Sequence, residues 1–267
     1  MKPRHVIILL LLSLPFLVRD YTVANELKYI SIAQEAIDNG TWFTFYNHGA
    51  AYADKPPLYL WIVMLSKLLF GDFDMWFIGL FSLLPMVGVM AVMNRWMRME
   101  CDHPNTYAAD MMLATTGMFI GAGMVLRMDM LMTFFIVLSL YTFFRMYKGI
   151  AAPRERWLLP VYVFMALFTK GPYGVMIPLA SIAAFLAWKR ELRMFGRYFG
   201  WRQLGILVLL CAIWWGGVYA EGGKEYISDL LFRQTVGRGI DSFHHKAPLW
   251  FYIVRLPLVM LPWSLLY

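Results

Sequence analysis

Long apolar runs alternate with short polar gaps along this chain, and one gap near the start is far longer than the rest. The first run, Val6 to Val18, is followed by Arg19-Asp20 and by no small-x-small cleavage site. That pattern predicts an uncleaved first span with its N-terminus in the cytoplasm. The run is short, so Leu14-Pro15 and its flanks are placed near the interface. The polar stretch that follows, 19–74, contains two helical patterns. Between Asn25 and Asn39, Leu27, Ile30, Ile32, Ala33 and Ile37 give an apolar face, and Glu26, Lys28, Gln34, Glu35 and Asp38 a polar one. Asn39-Gly40 stops this helix, which is expected to lie along a membrane surface. The second pattern, Leu58 to Phe70, is started by Pro56-Pro57 and ended by Gly71. It is shorter than the roughly 20 residues of a full span, and it reads as re-entrant or interfacial.

Clearer spans follow: Met75 to Met93 inward, Tyr107 to Leu126 outward, Met130 to Phe144 inward, Trp157 to Thr169 outward, Tyr173 to Trp188 inward and Leu204 to Tyr219 outward. A second large polar loop is expected over 221–247, and Pro248 to Tyr267 begins a further span. The last apolar run has no polar end, which predicts a protein truncated at its C-terminus. The whole of 1–267 reads as one transmembrane domain.

Composition sharpens the class. Of 267 residues, 60% are hydrophobic and 17% aromatic, with a mean hydropathy of +0.56. Soluble domains run nearer 45–50% apolar, so the fold class is an all-α polytopic membrane protein. The net charge of +7 invites a nucleic-acid reading, but the basic residues are spread through gaps between apolar runs. Arg95, Arg98, Arg145, Lys148, Arg154, Arg156, Lys189, Arg190, Arg193, Arg197 and Arg202 fall in the proposed inner segments, and most acids fall outside. This positive-inside pattern puts both long polar loops on the outer face, the periplasmic side of a bacterial inner membrane, and no nucleic acid is expected as partner. Cys101 and Cys211 are far apart in sequence, and no Cys/His zinc spacing is present.

The candidate chemistry lies at the outer ends of the spans. In Asp54-Lys55-Pro56-Pro57, the lysine can meet a phosphate as a compact point charge, the acid can bind a divalent metal or orient the lysine, and the prolines hold both at a helix mouth. The plain alternative is a helix start with a solvated charge pair. Arg127-Met128-Asp129 and Lys170-Gly171-Pro172 put charges beside spans, where they are functional or else ordinary ion pairs and turns with a snorkelling lysine. The second loop gathers Arg238, His244, His245 and Lys246, suited to a phosphate leaving group or a metal, or simply to anionic headgroups. Asp110, inside a span, reads as a polar contact between helices. The methionine-rich tracts read as packing.

The order of these motifs resembles the bacterial GT-C membrane glycosyltransferases of the aminoarabinose transferase type, related to protein O-mannosyltransferases. The residues that carry the resemblance are Asn25-Glu26-Leu27-Lys28-Tyr29, Tyr52-Ala53-Asp54-Lys55-Pro56-Pro57-Leu58, Arg127-Met128-Asp129, Lys170-Gly171-Pro172, and Arg238 with His244-His245-Lys246-Ala247-Pro248. The resemblance implies a GT-C helix bundle with amphipathic juxtamembrane helices in the first outer loop. It implies transfer of a sugar from a polyprenyl-phosphate donor to lipid A or another lipid or protein acceptor. It implies that Lys55 holds the donor phosphate, with Tyr29, Tyr52, Arg127, Asp129, Lys170 and Arg238 as further substrate contacts. A divalent metal is implied at Asp54, with His244 or His245 taking the place of a family histidine that falls near Arg233. One departure matters. The family's first loop begins Asp-Glu, with the Asp as expected catalytic acid, and this chain has Asn25-Glu26. An amide cannot accept a proton as a general base. Glu26 or Asp20 takes that role, the reaction is assisted differently, or the protein is inactive. A transporter or flippase for lipid-linked sugars, or a non-catalytic assembly factor, would use the same basic outer sites without chemistry.

Overall fold

A computed structural model describes residues 3–23, 25–231 and 249–266, and these are almost entirely helical. Helix α1 (Pro3–Ser13) gives way to one 3-10 turn over Leu14–Leu17, where Pro15 blocks a continuing α-helix. The first loop then folds as α2 (Glu26–Asn39), a hairpin of β1 (Tyr46–Asn47) and β2 (Ala50–Ala51), and α3 (Leu58–Phe70). The bundle follows: α4 (Met75–Glu100), α5 (Thr106–Thr115), α6 (Gly117–Met124), α7 (Asp129–Tyr147), α8 (Glu155–Lys170), α9 (Tyr173–Trp188), the single turn α10 (Phe195–Tyr198), α11 (Trp201–Leu231) and α12 (Leu249–Val259). Among the described residues, α4, α7 and α11 are long and apolar enough to cross a membrane, and α3 and α9 are shorter apolar helices.

Helices α3 and α9 begin and end where the sequence pattern places them. Pro57 precedes α3, and Gly71 closes it in the left-handed conformation (φ 74°). Other boundaries differ. The span expected over Tyr107–Leu126 breaks at Thr116, which is extended (φ −68°, ψ 122°), and the hydroxyls of Thr115 and Thr116 donate back to the carbonyls of Met111 and Met112. The second polar loop is corrected too. Its first part is helical, because α11 continues to Leu231 across a bend at Gly223 (φ 64°, ψ −164°). Only glycine takes that backbone without strain. The rest of that loop lies outside the described residues.

The first loop packs into the bundle. Ile32 and Ala33 of α2, Leu60 and Met64 of α3, and Ile78 and Met86 of α4 share one fully buried cluster with Leu126, Met128 and Met130. Each large aliphatic side chain withdrawn from water stabilises by roughly 1.5–3 kcal/mol, so packing holds α2 in place more than its own helical propensity does. A second cluster links the loop to α8 and α11 through rings in edge contact. Phe43 meets Trp61 (5.5 Å between centroids), Trp61 meets Phe168 (5.3 Å) and Phe168 meets Trp214 (5.5 Å). At the other end of the bundle, His5 Nε2 lies 2.9 Å from Asp110 Oδ2, and the Asn94 amide donates to Asp110 Oδ1 at 2.6 Å. This buried triad ties α1 to α4 and α5, as the polar-contact reading of Asp110 expects.

Candidate active site where α7 begins and α8 ends

Asp129 is the first residue of α7 and Lys170 the last of α8. The two helices pack as an antiparallel pair, which brings these residues together as an ion pair. Arg127 Nε lies 3.4 Å from the other oxygen of Asp129. The turn before α7 is pinned from α4, whose Ser82 hydroxyl reaches the carbonyls of Val125 (3.0 Å) and Arg127 (3.3 Å). Arg127, Asp129 and Lys170 sit on the wall of a groove of about 770 Å³ between α6, α7 and α12. Its other walls are mostly apolar, with Met118, Phe119, Ala122, Met130, Leu256 and Val259 among them. An apolar trough bearing an ionic cluster matches the chemistry of a lipid with an anionic head.

Tyr29 reaches the same place from α2. It is buried, and its ring meets Tyr59 edge to face at 5.4 Å. Burial pushes its phenol pKa up, Arg127 opposes that rise, Asp129 and Asp54 add to it, and a hydrogen bond with Tyr52 opposes it. Tyr52 in turn carries the Lys28 ammonium over its ring face at 4.7 Å. Of the residues the sequence pointed to, Tyr29, Tyr52, Asp54, Arg127, Asp129 and Lys170 therefore form one neighbourhood.

The hairpin delivers Asp54-Lys55 to it. His48 (φ 54°) and Gly49 (φ 75°) make the tight turn, and Glu35 of α2 accepts both of their backbone N–H groups, at 2.8 and 2.9 Å. From α11, Glu221 accepts the N–H groups of Trp42 (2.8 Å), Phe43 (2.7 Å) and Thr44 (2.9 Å). The Tyr226 hydroxyl accepts from Phe45 N–H at 2.9 Å and donates to the Tyr52 carbonyl at 3.1 Å. Gly222 makes this approach possible, since a Cβ there would lie 2.6 Å from the Thr44 methyl. Asp54 and Lys55 emerge half-buried, directly before α3. Sequence reasoning missed Glu35, Glu221 and Tyr226. Their partners are backbone groups, which leave no mark in the side-chain pattern.

Glu26 has a different place from the one its sequence suggests. It is 1% exposed, so the polar face expected for α2 is turned inward at its first residue. Its carboxylate takes two Arg19 N–H donors at 2.8 and 2.7 Å, the N–H of Thr22 at 2.7 Å and the N–H of Leu126 at 2.8 Å. Burial pushes its pKa up, but the Arg19 hydrogen bonds and the two backbone donors outweigh that and hold it below the ordinary carboxylate value. A carboxylate so occupied is a weak proton acceptor, and the geometry makes Glu26 a clasp. Asp20 is exposed and lines another depression beside Asp72 and Asp74. Asn25 precedes α2 exposed, with no side-chain cap hydrogen bond. Asp129 is the carboxylate that lines the groove. Among the described residues no three His, Cys, Asp or Glu side chains converge, so the donor set around Asp54 does not fit a metal ion on its own. Arg238, His244 and His245 lie outside the described residues.

The bundle with its outer loop defines a polytopic membrane protein of the GT-C type. The chain matches the family model of dolichyl-phosphate-mannose-protein mannosyltransferases over residues 54–215, and it belongs to that family. It is 25% identical over 264 residues to undecaprenyl phosphate-alpha-4-amino-4-deoxy-L-arabinose arabinosyl transferase 2 of Pseudomonas fluorescens, covering 95% of this chain and 44% of that protein. It is 25% identical over 251 residues to the corresponding transferase of Pseudomonas aeruginosa, covering 91% and 44%. The fold matches the crystal structure of ArnT from Cupriavidus metallidurans bound to undecaprenyl phosphate, with a TM-score of 0.84 and 17% identity over 99% of this chain and 49% of that one. The apo form of ArnT gives a TM-score of 0.78. The chain thus spans about half the length of the relatives it matches.

Proposed function

We propose that this chain carries the donor site of a membrane glycosyltransferase, which moves a sugar from a polyprenyl-phosphate donor to lipid A or another extracytoplasmic lipid or protein acceptor. The observation that carries this reading is the groove whose apolar walls meet the Arg127–Asp129–Lys170 cluster. The names of the relatives and the undecaprenyl phosphate in the ArnT crystal support the donor class. The prenyl chain lies along the groove and the phosphate meets Lys170, Arg127 and the neighbouring Lys55. The acceptor oxygen attacks the anomeric carbon, the bond from that carbon to the phosphate oxygen breaks, and polyprenyl phosphate leaves. Cations held in a water-poor site stabilise the charge on that leaving group. Once the donor phosphate has drawn Lys170 away from it, Asp129 takes the proton from an acceptor hydroxyl. Glu26 positions the 124–129 turn without touching substrate. No step is routed through a metal, since His244 and His245, two of the three residues expected to hold one, lie outside the described residues. The positive-inside charge pattern supports a reaction on the periplasmic face of a bacterial inner membrane.

The test is incubation of the full-length protein with a labelled polyprenyl-phosphate sugar and membrane extract. Label moving to an extracytoplasmic acceptor, and lost with Lys55→Ala, is the expected result. Label that stays on the donor under all conditions would leave the assembly-factor reading, which Asn25 favours.

A further inference from the structure

At the end of the bundle remote from the first loop, α4, α7 and α9 leave a slot of about 210 Å³. Trp96, Phe143, Phe144, Ile182 and Phe185 form most of its wall, and nearly all of its surface is apolar. Two of these rings are neighbours, with the centroids of Phe144 and Phe185 6.2 Å apart, and each carries an ammonium group. Lys148 Nζ lies 5.4 Å from the Phe144 ring and Lys189 Nζ 6.0 Å from the Phe185 ring. The chain then turns through a short surface segment, 189–200, flanked by two almost fully exposed tryptophans, Trp188 (85%) and Trp201 (88%). Lys189, Arg190, Arg193 and Arg197 are exposed along it, and Arg202 is exposed just beyond Trp201.

These features have the form of one half-buried lipid site. Exposed tryptophans beside apolar helix ends sit at the headgroup level of a bilayer. An apolar slot opening there admits a hydrocarbon chain, and cations at its rim meet a negative headgroup. The acids nearby do not cancel this charge. Glu100 pairs with Lys148 at 3.1 Å, but both are well exposed, and such pairs are weak. Glu191 is engaged with Tyr147. A second copy of this chain would bring the same basic face against itself, so charge complementarity disfavours a dimer here.

We infer that the slot between α4, α7 and α9 binds one chain of an anionic phospholipid, with its headgroup held by Lys148 and Lys189. This site is separate from the outer groove and stands whether or not the proposed transfer is correct. The test uses the full-length protein in neutral detergent with phosphatidylglycerol or phosphatidylcholine added. Phosphatidylglycerol should raise the Tm by roughly 3 °C or more above phosphatidylcholine. The double variant Lys148→Gln/Lys189→Gln should lose that difference while behaving like the wild type in phosphatidylcholine. Native mass spectrometry of the unsubstituted protein supplies a readout independent of the variants' folding, with retention of bound phosphatidylglycerol in preference to phosphatidylcholine as the expected result. Equal stabilisation by both lipids, an undiminished difference in the double variant, no preferential retention, or a dimer held through this face would each overturn the assignment.

Discussion

Arg19 and Glu26 grip each other through two parallel contacts of 2.8 and 2.7 Å, and the same carboxylate holds the backbone N–H of Leu126 at 2.8 Å. Arg19 also donates to the Met124 carbonyl at 3.2 Å. The end of the first helical segment, the start of α2 and the turn that carries Arg127 and Asp129 are thereby tied at one point. Glu26→Ala should therefore cost about 3 kcal/mol, the lower end for a broken buried pair because Arg19 is partly exposed. Thermal unfolding in detergent measures this. Glu26→Gln separates the two roles of the residue. A positioning role predicts a lowered Tm with less than tenfold loss of transfer. A loss of about 10²–10⁴-fold at unchanged Tm would restore Glu26 as the base.

The clasp also sets a pH limit. The folded-state pKa of Glu26 is lowered from 4.5. Its contribution is therefore complete above about pH 4.5 and is lost as pH falls through the folded value. Between pH 7 and pH 3 the Tm of the wild type should fall further than that of Glu26→Gln. Parallel curves would show that Glu26 is not the group being protonated.

Asp129→Asn keeps the shape of the side chain and removes the proton acceptor. Transfer should drop by about 10²–10⁴-fold, and retention of polyprenyl phosphate should be unchanged or improved. Lys170→Gln should instead weaken donor binding. A pair of variants losing both properties equally would point to a structural ion pair.

Glu221→Ala removes the acceptor of the backbone N–H groups of Trp42, Phe43 and Thr44, of which Trp42 is exposed and Thr44 buried. The expected effect is local, about 1–3 kcal/mol, and seen as faster proteolysis within 41–51 and a raised donor KM. Unchanged cleavage would mean that the aromatic contacts and the Glu35 and Tyr226 hydrogen bonds hold the loop without Glu221.

Orientation can be read with a membrane-impermeant thiol reagent on intact spheroplasts, in a Cys101→Ser/Cys211→Ser background. Asn39→Cys and Lys224→Cys should label and Arg154→Cys should not. All three positions are exposed. Labelling of Arg154→Cys alone would invert the topology.

Strong punctuation made much of the fold legible. Pro56-Pro57 and Gly71 bracket α3, and Gly40 ends α2, because each residue acts on its own backbone. The burial of Glu26 was not legible. One of its partners is Leu126, a hundred residues away, and a carboxylate on a helix looks solvent-facing until that partner is known. The hairpin at 46–51 is too short to show alternation and is held by Glu35 and by Tyr226 from a distant helix. The extension of α11 through Glu221 was hidden because a polar, glycine-containing run reads as loop until its Glu221 and Tyr226 are seen to bond the first loop. The charged motifs were legible as a set, since each ends a span, but which acid lines the groove required the packing of α7 on α8.

Asp129 heads one helix and Lys170 ends another, and this has a consequence for how the site exchanges partners. The aligned peptide dipoles leave partial positive charge at a helix start and partial negative charge at a helix end, worth about 0.3–1 kcal/mol to a suitable ion. Each residue carries the charge that its own helix terminus favours, so each retains an electrostatic counterweight when the other is withdrawn. On the proposed reading the pair works like a loosely set stopper: an incoming phosphate would draw Lys170 to itself and free that side of the Asp129 carboxylate without leaving either charge stranded.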